Sequence, residues 1–351
     1  MKKILLVSNY VFHYRIKNYN FFHDEFKKLG YEFSVLAEDA QEVDFEVKFP
    51  LTTKKFNSLS YIKFIRKVKP AAIINFLHLK DVIIFPVTYY CKLAGIPIIY
   101  WNFGINTVTP DAKFKNMLYY HLHNLSNAII LYSPLEKKFI KEKNHKKINI
   151  AYNTLNLTDI DRSKFTDRNF LKNKYNIKED YIILFVGRIT RSKKLDILLE
   201  SFRYKNVAIV VAGNGINDMQ LEIINKVPNY YYIGEIPYDN NEICNIFYSS
   251  DVFCIPGNIG LALIEAFFWG KPAVTFSGRN SPEIYYLKDN YNGYLVDDLK
   301  DLENKITDLL DDPAKYSKMS ENARKTYEEK AHIKNMFRAF NDAINNIINK
   351  N

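Results

Sequence analysis

Two cations and one carboxylate carry the chemistry that can be read from this chain. Arg188 and Lys193 stand just after Tyr181–Val186, an unbroken apolar run of strand type. Beyond the end of a buried strand, two cations can neutralise a pyrophosphate and stabilise it as a leaving group, the task Mg2+ performs in other sites. Further on, a second apolar run ends at Ile255, turns through Gly257 and Gly260, and becomes an apolar helix closed by Gly270. A strand, a glycine turn and a helix N-terminus form an anion site, because unpaired N–H groups and the helix dipole face the ligand together. The amides of Gly260 and Leu261 are its candidates. Glu265, one to two turns into that helix, would repel a phosphate and suits a ribose, whose hydroxyls can donate to it. Phosphate on amides and ribose on a carboxylate describe a nucleotide.

Strands and helices must alternate to position these groups. Lys3–Ser8 reads as a buried parallel strand, a helix follows from about Ile16 to Leu29, and Tyr31–Ala37 reads as the next strand. In such a βαβ unit, ligands bind beyond the strand C-termini. The loop Asn9–Arg15 therefore borders a cleft, and His13 and Arg15 are either acceptor-site residues or part of a solvated loop. Ala71–Phe76 and Ile96–Tyr100 are further strands; His78, Asn102 and Asn106 follow them and serve either an acceptor or packing and surface. Ser133 caps a basic helix through Lys143, with Pro134 at its first position. The polar stretch 153–180 reads as the connection to a second domain.

A chain of 351 residues suits two domains, and 47% hydrophobic with 25% charged residues is a globular balance. No apolar run reaches the roughly 18 residues of a membrane span. The apolar start, Ile4–Val7, is shorter than the core of about 7–15 residues in a signal peptide. Cys91, Cys244 and Cys254 are too unevenly spaced for a disulfide framework or a zinc site, and neither paired carboxylates nor a Ser/His/Asp set stands out. The expectation is a cytoplasmic protein that needs no metal or cofactor. The net charge of +10 is uneven, with 28 Lys/Arg against 15 Asp/Glu in residues 1–175 and 21 against 24 in the rest. A basic front half suits nucleic acid, an anionic membrane or a phosphorylated substrate, unless it serves solubility alone. No basic–aromatic module points to nucleic acid. Two helices, Tyr61–Lys69 and Lys113–Tyr120, are the candidates for an anionic inner leaflet.

The run Gly260-Leu261, Glu265-Ala266 and Gly270-Lys271-Pro272 resembles the nucleotide-sugar site of the family-4 (group 1) retaining glycosyltransferases of GT-B fold, bacterial surface-glycan type. Gly187-Arg188 followed by Lys193, the turn Ala212-Gly213-Asn214-Gly215 and the loop Ser277–Ile284 are similar to other motifs of that family. The resemblance implies an α/β chain of two Rossmann-like domains, with parallel sheets facing an interdomain cleft. Residues 1–165 would bind the acceptor, 166–330 the nucleotide sugar, and a helix within 331–351 would cross back to the first domain. Arg188 and Lys193 would hold the donor diphosphate, and Gly187, Gly213 and Gly234 the nucleotide, its base met largely through backbone near Gly234. The implied activity is metal-independent transfer, with retention, from a nucleotide diphosphate sugar (a UDP-sugar first) to a hydroxyl of a glycan or lipid-linked glycan. The chain departs from the family at three positions: Gly257 stands where the family has its first Glu, Phe103 where a His is usual, and Lys194 where a glycine is usual. A sugar-nucleotide-binding protein without turnover, and a GT-B-shaped epimerase or hydrolase, are the competing readings.

Overall fold

The computed structural model describes residues 1–105, 111–203, 205–237 and 241–348. The chain folds as two compact units, Met1–Asn156 together with Ile333–Asn351, and Leu157–His332. The division falls ahead of the 165/166 boundary expected from the sequence, because the intervening residues are already anchored in the second unit. There Arg162 Nη1 donates to the Phe268 carbonyl at 3.0 Å, and Phe165 packs edge-on against Trp269 at 5.1 Å.

The first unit is built on a parallel sheet of β1 (Lys2–Val7), β2 (Tyr31–Ala37), β3 (Leu51–Thr53), β4 (Ala72–Asn75), β5 (Ile98–Trp101), β6 (Ala128–Leu131) and β7 (Ile148–Ile150). Its strand order is β3-β2-β1-β4-β5-β6-β7. Ile4 to Val7, Ala72 to Ile74 and Ile98 to Trp101 are buried throughout, which explains why these strands read as continuous apolar runs: both faces of the sheet are covered. On one face lies α1 (His13–Lys28), which buries Ile16, Tyr19, Phe22 and Phe26, one helical stripe. Beside it the helix Ile333–Ile348 sets Phe340 4.8 Å from Trp101 and 4.9 Å from Phe22, and Phe337 4.8 Å from Phe26. On the other face, α2 (Ser58–Val68), α3 (Ile84–Leu93) and α4 (Lys113–Leu125) bury Tyr61, Ile65, Ile84, Val87, Tyr119 and Leu122. Asn57 caps α2 by accepting the Ser60 amide at 2.9 Å.

After β6 the expected single helix is absent. Ser133 does cap the stretch, with its own amide donating to Glu136 Oε2 and its hydroxyl accepting from the Leu135 amide at 3.2 Å. The chain then forms two 3-10 segments, Pro134–Phe139 and Glu142–Lys147. Between them Ile140 is extended and buried against Ile129 and Leu131, so burial of one side chain overrides a basic sequence of good helix formers.

In the second unit six parallel strands follow the order β10-β9-β8-β11-β12-β13. They are β8 (Tyr181–Val186), β9 (Val207–Ala212), β10 (Tyr230–Tyr232), β11 (Val252–Cys254), β12 (Ala273–Phe276) and β13 (Gly293–Val296). After β11 comes α5 (Ala262–Phe268), whose Leu263, Ile264, Ala266 and Phe267 are buried. Lys271, just past α5, is also buried; its ammonium donates to the carbonyls of Tyr248 at 2.7 Å and Ser250 at 2.6 Å.

Packing of the helix Ile333–Ile348 against Trp101 predicts that Phe340→Ala costs about 3–5 kcal/mol of first-unit stability, the usual result of emptying a buried aromatic site. Urea unfolding followed by tryptophan fluorescence measures it.

Candidate functional site

In the second unit the strand order reverses between β8 and β11, the position at which open α/β sheets bind ligands beyond their strand C-termini. The loops leaving these two strands hold Arg188, Lys193, Gly260, Leu261 and the start of α5 with Glu265. Two backbone hydrogen bonds tie the loops together: the Gly257 amide to the Lys193 carbonyl at 3.0 Å, and the Asn258 amide to the Ser192 carbonyl at 2.8 Å. A third loop, after β12, braces them through Asn280 Oδ1, which accepts the Ile259 amide at 3.0 Å, and Ser281 Oγ, which donates to Asn258 Oδ1 at 2.8 Å.

Glycines make room at the centre. Gly187 has φ +119°, and a Cβ there would stand 2.5 Å from Lys193 Nζ. Gly213, φ +141°, lies under the Gly187 carbonyl so closely that any Cβ would strike it, while its amide donates to the Gly234 carbonyl at 2.7 Å. The three glycines lie in the turns after β8, β9 and β10; all have positive φ, and at Gly213 the Gly187 backbone leaves no room for a side chain.

Lys193 ends a 3-10 turn, Arg191–Lys193, that folds its side chain back over β8. Its ammonium reaches the Val186 carbonyl at 3.4 Å and lies 5.7 Å from the Phe185 ring centroid. Among the described residues no carboxylate comes within ion-pair distance of it. Loss of hydration, with the Arg188 guanidinium nearby as a second cause, pulls its pKa down to about 8. Arg188 itself is exposed, and Glu265 sits half-buried in the first turn of α5. The amides of Gly260 and Leu261 have no protein acceptor among the described residues. A half-buried ammonium, a second cation and two available amides together fit a polyanion, with Glu265 on the same helix start suited to hydroxyl groups.

Two of the family departures have structural causes. Lys194 takes φ +55°, ψ +43°, a left-handed conformation natural to the glycine it replaces, and its ammonium rests 5.4 Å from the Phe276 centroid. Gly257 is enclosed: a Cβ there would run into the Ser192 carbonyl and approach the Lys193 backbone to 2.8 Å. A glutamate cannot occupy this position unless the loops separate.

The first unit's sheet also reverses order, between β1 and β4. Arg15 is buried there within an aromatic cage, its guanidinium 4.6 Å from the Trp101 centroid, 5.2 Å from Tyr14, 5.5 Å from Phe76 and 5.9 Å from Tyr132. Phe76 also touches the ring of His78 at 5.7 Å, and Asn102 Nδ2 lies 3.4 Å from His78 Nδ1. Burial lowers the His78 pKa, with Asp81 opposing, so the imidazole is biased toward neutral. Arg15, His78 and Asn102 are therefore brought together. Asn102 is committed internally, donating to Tyr100 Oη at 2.9 Å and accepting the Phe103 amide at 2.6 Å. His13 pairs with Gln41, Nδ1 to Oε1 at 2.8 Å, and its ring stands edge-on to Tyr14 at 5.7 Å; Asn106 lies outside the described residues. Phe103 packs on Tyr132 at 4.4 Å, the apolar contact that a histidine would forfeit. Sequence reasoning passed over Asp81, a buried carboxylate that accepts from Asn9 Nδ2 at 3.1 Å and from the His78 amide at 2.7 Å. Its signal was faint: one acid in a basic stretch, three residues after His78.

Residues 167–326 match the family model described as glycosyl transferases group 1. Over this stretch, a little under half of the chain, the sequence is similar to group 1 glycosyl transferases. Over 229 residues the chain is 27% identical to an uncharacterized 41.2 kDa protein in the cps region of Klebsiella pneumoniae, covering 61% of this chain and 60% of that protein. Over 181 residues it is 25% identical to the capsular polysaccharide biosynthesis glycosyltransferase CapM of Staphylococcus aureus, covering 47% and 46%. The matches thus span about half to three fifths of these relatives' own lengths. Among solved structures, Anabaena Alr3699/HepE in complex with UDP superposes with a TM-score of 0.76 at 14% identity, over 99% of this chain and all of that one. A sucrose-phosphate synthase from Thermosynechococcus elongatus gives 0.75 at 14% identity, over the whole of both chains. The fold is GT-B, and the stretch matched by the family model lies in its second Rossmann-like unit.

The tight loop contacts predict opposite effects of two substitutions in this domain. Gly257→Ala should destabilise it by about 1–3 kcal/mol through overpacking. Lys194→Gly should stabilise it by about 0.5–1 kcal/mol by removing left-handed strain. Thermal unfolding of both variants against wild type checks the signs.

Proposed function

We propose that this chain is a retaining glycosyltransferase. It would move a sugar from a nucleotide diphosphate sugar, a UDP-sugar first, to a hydroxyl of a glycan or lipid-linked glycan in surface polysaccharide, capsule or lipopolysaccharide synthesis. The observation that carries this reading is Lys193, a half-buried ammonium with lowered pKa beside Arg188 at the strand-order reversal. Support comes from the capsular assignment of the Staphylococcus aureus relative and from the UDP and UDP-glucose held by the Anabaena structures.

In the proposed reaction the bond from the anomeric carbon to the diphosphate oxygen breaks as the acceptor hydroxyl attacks from the same face. The acceptor proton passes to an oxygen of the leaving diphosphate, so no enzymic nucleophile is required. Arg188 and Lys193 would stabilise the charge that develops on that diphosphate, which is the part a divalent cation plays elsewhere, and the reaction is proposed as metal-independent on that account. The Gly260 and Leu261 amides would assist, Glu265 would accept the ribose hydroxyls, and the turns at Gly187, Gly213 and Gly234 would admit the nucleotide close to backbone. On the first unit, Arg15, His78 and Asn102, with His13 beside Gln41, are the proposed acceptor-side residues, Asp81 fixing the His78 loop. The protein would work in the cytoplasm, peripheral on the inner face of the cell membrane.

Gly257 and Phe103, standing where an acid and a histidine are usual, favour a sugar-nucleotide-binding protein without turnover as a second reading, and a GT-B-shaped epimerase is a third, since a Listeria monocytogenes structure described as a putative UDP-N-acetylglucosamine 2-epimerase superposes at a TM-score of 0.68. Donor consumed with no acceptor present would select that alternative.

The direct test is thermal shift with UDP, GDP, UDP-glucose, UDP-N-acetylglucosamine and GDP-mannose. A bound nucleotide at about 100 times its Kd adds roughly 2.7 kcal/mol, and Arg188→Ala should remove about 1.5–3 kcal/mol of binding. No shift with any nucleotide would count against the proposal. The lowered Lys193 pKa adds a pH signature. As pH rises through about 8 the free protein loses this ammonium, and binding the diphosphate must restore it. UDP affinity should therefore fall toward tenfold per pH unit above about 8, with proton uptake seen by calorimetry in buffers of different ionisation enthalpy.

A further inference from the structure

Lys194 and Gly257 change the charge of the motif they sit in by the same sign, and the fold brings them together. A lysine stands where a glycine is usual, and a glycine stands where an acid is usual. The Gly257 amide donates to the Lys193 carbonyl at 3.0 Å, and a Cβ on Gly257 would come within 2.8 Å of that carbonyl carbon. The peptide leading into Lys194 therefore fills the space that an acidic side chain would enter. The Lys194 ammonium stays beside the same point. It rests 5.4 Å from the Phe276 ring centroid, and the Phe276 amide donates to the carbonyl of Pro256, the residue before Gly257, at 3.1 Å.

The neighbouring loops carry the same bias. Residues 187–194, 255–261 and 277–281, which follow β8, β11 and β12, hold Arg188, Arg191, Lys193, Lys194 and Arg279 and no acid. In a nucleotide diphosphate sugar each phosphoryl group carries one negative charge, which Arg188 and Lys193 can match. Arg191, Lys194 and Arg279 exceed that need, and Lys194 is the one held beside Gly257. Asn258 adds a donor: its Oδ1 accepts from the Ser281 hydroxyl at 2.8 Å, and its Nδ2 has no protein acceptor among the described residues.

Strand order says which part of a donor meets this cluster. With the nucleotide against the turns after β9 and β10, and the diphosphate at the loops of β8 and β11, the next strand outward is β12. The remaining end of a linear donor, its sugar, falls where Lys194, Asn258 and Phe276 lie. Hydroxyls of a neutral sugar both donate and accept, whereas a carboxylate only accepts. An ammonium and an amide donor, with the acid withdrawn, suit the carboxylate and penalise its neutral counterpart.

We infer that the sugar taken by this site carries a carboxylate, as in a nucleotide diphosphate uronic acid, and that Lys194 selects it. This rests on the donor reading above and narrows it. It also gives a use to a lysine kept at φ +55°, where a glycine would be unstrained.

Calorimetric titration of the full chain tests it, with the nucleotide that shifts the melting temperature: UDP, UDP-glucose, UDP-galactose, UDP-glucuronate and UDP-galacturonate, or GDP, GDP-mannose and GDP-mannuronate. A uronate should bind about tenfold more tightly than its neutral counterpart, the usual worth of a hydrogen bond to a charged group, and raised salt should shrink the ratio. Lys194→Gly, expected to be at least as stable as wild type, should bring the ratio near unity and leave affinity for the bare diphosphate unchanged. Lys194→Arg should keep the preference. Neutral sugars bound as tightly as uronates by wild type, with the bare diphosphate still bound, would overturn the inference and leave the donor reading standing. Equal losses of bare-diphosphate and uronate affinity in Lys194→Gly would also overturn it, making Lys194 a further diphosphate cation. No binding of any nucleotide would remove the donor reading and this inference together.

Discussion

Holding an ammonium away from water next to a second cation is unfavourable, and the second unit is arranged around that cost. Lys193 could be relieved as Lys271 is, by two close carbonyl oxygens, yet it is left with one distant carbonyl and the face of Phe185. The contrast separates two uses of a lysine drawn inward, Lys271 buried and Lys193 half-buried. At Lys271 the charge is settled within the fold. At Lys193 it is unsettled, and an incoming anion is what would satisfy it. The surrounding glycines are explained by this: Gly187 gives the ammonium its space, Gly213 lets the next turn lie beneath, and Gly257 lets the opposite loop close on the backbone that carries the charge.

Gly257 therefore has a different meaning in the structure from its meaning in the sequence. Against a motif it is a missing acid. In the fold it allows two loops to share backbone hydrogen bonds. Lys194 shows the reverse case, a side chain kept where backbone geometry favours none, with cation–π contact to Phe276 as partial compensation.

The short edge strand Leu51–Thr53, partly exposed, carries no continuous apolar run and was missed, whereas most strands of the two sheets were legible because buried parallel strands are such runs. Arg188, Lys193 and Glu265 could be located for the same reason, each lying just beyond such a run. What escaped the sequence depends on contacts between distant segments. The helix expected after Ser133 breaks at Ile140 because β6 offers that side chain a buried place. Arg15, read as a loop cation, lies under Trp101 and Phe76, residues far along the chain. Asn102 looked available until Tyr100 and the Phe103 amide occupied it, and Asp81 gained interest only when Asn9 and His78 were seen to converge on it. Local pattern conveys the scaffold; the distribution of free and committed polar atoms is a tertiary property.

The first unit is discontinuous in sequence: its sheet and four helices precede residue 157, but the helix Ile333–Ile348 that covers Trp101 and Phe22 comes after the whole second unit. During vectorial synthesis, the nascent first unit must wait through some 176 residues, Leu157–His332, with that aromatic patch uncovered. The second unit, being continuous, can fold as soon as it emerges. Completion of the earlier-made unit thus follows synthesis of the second, and a ribosome that stalls before Ile333 leaves the second unit folded and the aromatic core of the first still open, a natural target for chaperones.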